Sequence, residues 1–110
     1  MRPLDPMLAT AAAVLGLSNV AVTWAELPPN IAAEWRCAEG NHWIGVSSRY
    51  RRAPRYVLQY LIFHEALHAK LPPRKYVASS AVRLHHYAFR VAERLIPNYA
   101  RAVAWLERHQ

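Results

Sequence analysis

The sequence predicts an α+β domain: an N-terminal helix, a small antiparallel three-stranded sheet, then three helices. Two observations predict it. Short runs with β-branched enrichment and apolar alternation occupy the first half, and the period switches to helical after Arg49-Tyr50-Arg51-Arg52. A chain of 110 residues that is 54% hydrophobic forms one domain, here residues 1–110, with a modest core.

Leu8 to Leu17 reads as an alanine-rich helix closed by Gly16 or by Ser18-Asn19. Val20 to Trp24 reads as a strand, and Leu27-Pro28-Pro29-Asn30 ends it. Ala32 to Cys37 and His42 to Ser48 form two further strands around Glu39-Gly40-Asn41, whose Gly-Asn pair signals a hairpin. Pro54 suits the first turn of a helix, where its missing N–H costs nothing. From Tyr56 to Ala69 the chain runs helical and is apolar almost all round up to Phe63, the mark of a buried helix. Pro72-Pro73 ends it. A long helix over Tyr76 to Ile96 follows, stopped by Pro97, and a last one over Asn98 to Arg108.

The single cysteine, Cys37, excludes an intramolecular disulfide framework. The apolar stretch Met7 to Leu17 follows Arg2, but Pro3, Asp5 and Pro6 interrupt its start and no small-residue cleavage site follows. It also falls short of the roughly 20 apolar residues that span a bilayer. The expectation is a cytoplasmic protein with no membrane partner. Net charge is +7, and all the basic residues except Lys70 and Lys75 are arginines. Arg49, Arg51, Arg52 and Arg55 cluster before the buried helix, with Arg74-Lys75 after it. Such a surface suits nucleic acid, although a solvated basic rim gives the same composition.

His64-Glu65-Ala66-Leu67-His68 has the pattern H-E-x-x-H. Helix positions four apart differ by about 40° and share a face, so both imidazoles reach one metal ion. Glu65 lies about 100° round from His64, placed to contact a metal-bound water as general base. The pattern also arises by accident in unrelated helices. Here it continues the buried stretch Val57 to Phe63, where two histidines and a glutamate are costly unless coordinated or paired.

Catalytic zinc takes a third protein ligand and keeps a fourth position open. Downstream candidates are His85, His86, Glu93, Glu107 and His109. On a helix, His85 has the apolar neighbours Ala81, Val82, Ala88, Phe89 and Ala92, whereas those of His86 are Val82, Arg83, Phe89, Arg90 and Glu93, mostly charged. His85 is therefore the expected third ligand, with Glu93 its rival.

These motifs resemble the short bacterial SprT-like and YgjP-like zinc metallopeptidases and, more loosely, the minigluzincins. The residues that carry the resemblance are Trp35-Arg36-Cys37, the strand Gly40 to Val46, and the proline-started helix from Pro54 to His68. His85-His86-Tyr87-Ala88-Phe89 and Leu95-Ile96-Pro97-Asn98-Tyr99 complete it, so it covers roughly Val20 to Leu106. The first of these motifs lacks the usual glycine, and with Cys37 as its single cysteine the sequence is expected to lack the zinc ribbon of longer members. The step from His85 to Phe89 matches the third-ligand motif of the family.

The resemblance implies a minimal zincin-like fold and a zinc-dependent peptidase. One Zn2+ would be held by His64, His68 and His85, with Glu65 as general base. A polypeptide substrate would lie along an edge strand at Trp43, Ile44, Gly45 and Val46. Tyr87, His86, Tyr99 and Arg83 are candidate donors to the transition state. Relatives that act on DNA-trapped proteins suggest nucleic acid as a second partner. The competing expectation is a catalytically silent, zinc-stabilised binding or regulatory module, also DNA-associated.

Overall fold

Helix α1 (Asp5–Leu15) opens the chain in the computed structural model, which describes residues 3–71 and 87–109 and, between them, the backbone of 74–75 and 82–83. It starts three residues earlier than expected, because Pro6 in the first turn pre-sets the helical backbone. Gly16, at φ 67°, closes it in the left-handed conformation and returns its N–H to the Ala12 carbonyl. Met7, Leu8 and Ala11 form its buried face.

Three strands follow, β1 (Val20–Ala25), β2 (Ala33–Ala38) and β3 (Asn41–Ser47). The sheet is mixed, not wholly antiparallel. Its order is β1-β3-β2, with β1 parallel to β3 (Val20 opposite His42) and β2 antiparallel to it (Trp35 opposite Ile44). The two connections explain the difference. β2 and β3 are joined by the two-residue turn Glu39-Gly40, with φ 53° and 80°, which forces antiparallel neighbours. The longer link through Pro28-Pro29 makes no tight turn, so β3 inserts between β1 and β2. Trp43, Ile44, Gly45 and Val46 thus lie on the central strand. The expectation that they form the edge is corrected: among the described residues, β2 pairs with β3 alone and presents its other side.

Ile44 and Val46 are fully buried and face α2 (Arg55–Lys70). Pro54 is its N-cap. As its composition predicts, α2 is buried nearly all round, from Val57 and Leu58 through Leu61, Ile62 and Phe63 to Ala66 and Leu67. It packs on α1, on β2 and β3, and on two later helices, α3 (Tyr87–Glu93) and α4 (Tyr99–Arg108).

The long helix expected over Tyr76 to Ile96 is shorter in the described residues. Arg74–Lys75 (β4) pairs antiparallel with Val82–Arg83 (β5), and α3 begins at Tyr87. Val82 is β-branched and suits a strand as well as a helix; residues 76–81 and 84–86 of the expected helix lie outside the described residues. Phe89 and Ala102 anchor α3 and α4 with no exposed surface. The α+β architecture and its order of helix, sheet and helices are as the sequence predicts. Among the described residues, no helix is long and apolar enough to cross a membrane.

Candidate metal centre

The helical repeat brings His64 and His68 to one face of α2, one turn apart, with ring centroids 5.3 Å from each other. Glu65 joins them. One ligand atom from each of His64, Glu65 and His68 lies within 4.8 Å of the others, and these residues form a group that can hold a metal ion. His68 and Glu65 are buried, while His64 is partly exposed. The group floors an open groove of about 420 Å³ whose other wall is Ile31, Ala33, Glu34 and Trp35. Ala33, Glu34 and Trp35 thus bring the first half of β2, which among the described residues pairs only with β3, along the groove.

Two aromatic rings set the imidazoles. Trp35 stacks on His68 at 5.8 Å and 20°, and Phe89 stacks on its ring at 4.5 Å and 28°. Phe89 also meets His64 edge-on at 5.3 Å and 75°. The Trp35 indole N–H donates to His42 Nδ1 at 3.1 Å, which pins that ring in turn. Trp35 reaches the site by strand alternation: it shares the inward face of the sheet with Ile44, its partner on β3.

A carboxylate lies behind His64. Glu93, at the end of α3, places Oε2 2.5 Å from His64 Nδ1. Tyr60 brings its hydroxyl to the same corner, 3.5 Å from Glu93 Oε2 and 3.4 Å from His64 Nδ1. Burial first, and the Glu93 carboxylate next, push the Tyr60 phenol well above its ordinary range, so it stays protonated and able to donate.

Glu65 sits on the other side of His64, with Oε2 3.8 Å from Nε2. Burial lifts its carboxyl from 4.5 to about 7; His64 pulls it down, and the Glu34 and Glu93 carboxylates push it up again. A carboxyl that titrates near neutrality can both take and return a proton.

Among the other residues singled out from the sequence, Tyr87 opens α3 and is largely exposed. Tyr99 packs against Tyr60, with centroids 5.8 Å apart, and so stands one ring behind His64. His85, His86 and the side chain of Arg83 lie outside the described residues. Within the basic cluster, Arg49 is engaged by the fold: it donates to the carbonyls of Pro28 and Ile31 at 2.9 and 3.2 Å. Arg51, Arg52 and Arg55 are exposed.

Trp35, Tyr60 and Phe89 were not read from the sequence as parts of the site. Tyr60 and Phe89 carried a usable signal. Tyr60 precedes His64 by one helical turn, and Phe89 precedes Glu93 by one turn, so each pair shares a face. Compared with protein families, curated proteins and solved structures, the chain matches none.

Proposed function

We propose that this protein is a zinc-dependent metallopeptidase whose general base is Glu65. One observation carries the reading: two imidazoles and a near-neutral carboxyl converge at the floor of a groove bordered by β2, which among the described residues pairs on one side only. Two histidines with a further protein ligand are the usual donors to catalytic zinc. His64 and His68 would hold the ion, and His85 is the proposed third ligand. When bound there, zinc would supply Lewis acidity, which makes water more acidic and polarises a carbonyl.

The remaining steps belong to the chain. Glu65 accepts a proton from the attacking water as oxygen bonds to the carbonyl carbon. It then delivers that proton to the amine nitrogen as the C–N bond breaks. A substrate in extended conformation adds by main-chain hydrogen bonds to the side of β2 that has no strand partner among the described residues, which brings its backbone across the groove. The resemblance to SprT-like metallopeptidases points to the same chemistry.

The test is metal content and cleavage of an unfolded polypeptide such as casein, for the wild type beside Glu65→Gln, His64→Ala and His68→Ala. The expected result is one zinc per chain and cleavage abolished by a chelator. Glu65→Gln should retain zinc and lose cleavage by at least about 100-fold, the lower range of general-base contributions. Both histidine variants should lose the metal. Zinc bound by a wild type that cleaves nothing favours a silent metal-stabilised module instead.

A further inference from the structure

We propose that Glu93 is the positioning carboxylate of this centre, orienting the ligand His64 from behind without itself coordinating the ion. The inference rests on reading the group as a metal site and deepens it. An imidazole has two nitrogens, and the surroundings of His64 assign them different tasks. Nδ1 meets Glu93 Oε2 at 2.5 Å, whereas Nε2 faces Glu65 Oε2 at 3.8 Å, inside the group that can hold the ion. A carboxylate on Nδ1 fixes the proton there, leaves the Nε2 lone pair for the metal and makes that nitrogen a stronger donor.

Glu93 is itself held. The Tyr60 hydroxyl donates to the same Oε2 at 3.5 Å. Phe89, one helical turn earlier on α3, packs against the rings of both His64 and His68. The short helix α3 thus delivers an apolar contact and a carboxylate together to one face of α2. The sequence alone made Glu93 a rival third ligand; its contact with Nδ1 gives it a different role.

The experiment measures Zn2+ and Co2+ affinity of the full chain, with no substrate, for wild type, Glu93→Gln and Glu93→Ala. The absorption spectrum of each Co2+ complex is recorded at saturating metal. Glu93→Ala should bind both ions about 10- to 100-fold more weakly, the usual loss when a ligand's outer partner is removed. Glu93→Gln keeps an oxygen acceptor for Nδ1–H and should recover most of that affinity. All three Co2+ spectra should coincide, since the ligands are the same.

Equal affinity in wild type and Glu93→Ala would overturn the role. So would a changed Co2+ spectrum in Glu93→Gln with affinity as low as in Glu93→Ala, which marks Glu93 as a ligand. A wild type that takes up neither ion overturns the metal reading beneath it. That failure is distinct, because it appears before any variant is compared. Should Glu93→Ala not fold, Glu93→Gln is compared with the wild type: an unchanged Co2+ spectrum with affinity within about 10-fold supports the role, and a changed spectrum overturns it.

Discussion

The two sides of the groove hold their histidines by different means. On the α3 side, His64 meets a carboxylate and a hydroxyl, Glu93 and Tyr60, with the edge of Phe89 beside it. On the β2 side, His68 stacks with two aromatic rings, Trp35 and Phe89. A charged hydrogen bond is short and directional, so it sets which nitrogen carries the proton as well as where the ring points. Ring stacking restrains the plane of the imidazole and leaves its rotation about the stacking axis softer. The contrast divides the labour: α3 polarises one imidazole, and the sheet confines the other sterically. Phe89 belongs to both sides and ties them together.

Removing Phe89 should therefore have the largest effect. Its side chain is fully buried, so Phe89→Ala should cost about 3–5 kcal/mol of stability. Because the ring touches both imidazoles, metal affinity should fall as well, and Phe89→Leu should recover most of both losses. Denaturant melts with and without Zn2+ measure the two effects separately. If metal affinity were unchanged in a folded Phe89→Ala protein, the two sides would act independently and the ring would be core packing only.

Glu65, on the floor between the two sides, offers a test through pH. Its carboxyl titrates at about 7 in the folded chain against 4.5 for the ordinary group. Below pH 4.5 both folded and unfolded states are neutral and the site costs nothing. Between 4.5 and about 7 the unfolded chain ionises while the folded one resists. Above 7 both are charged and the full cost of the buried charge, on the order of 3 kcal/mol, is present. In chelator, the metal-free protein should thus lose stability relative to Glu65→Gln as pH rises through this window. Chemical denaturation at pH 4.5 and pH 8 reads the difference directly. A constant gap between the two proteins would mean that Glu65 is better solvated than the geometry indicates.

What the sequence disclosed follows from distance along the chain. The face shared by His64 and His68, the burial of α2 and the turn near Gly40 are local, set by helical period or turn chemistry over a few residues. The order β1-β3-β2 is not, because hydrophobic alternation fixes which face of a strand is buried and leaves its neighbours open. Placing the edge on β3 was the resulting error. Trp35 shows the same limit from the other direction. It falls within a strand legible in the sequence, yet only the position of β2 beside α2 puts it on His68. Glu93 was visible as a carboxylate in the correct region, but Nδ1 and Nε2 are indistinguishable in a sequence.

Trp35 gives the mildest test of the comparison and the sharpest. It is only partly buried, so Trp35→Ala should cost about 2 kcal/mol, from the exposed area it covers and the ring pairs it makes. Trp35→Phe keeps an aromatic face for His68 and loses the N–H that binds His42. If the β2 side acts by stacking, Trp35→Phe should hold Zn2+ nearly as well as wild type, and Trp35→Ala should hold it more weakly. Isothermal titration calorimetry ranks the three. If Trp35→Phe fell as far as Trp35→Ala, the indole N–H would be the part that matters. His68 would then be placed through the chain Trp35-His42, and the β2 side would be polar in its action as well.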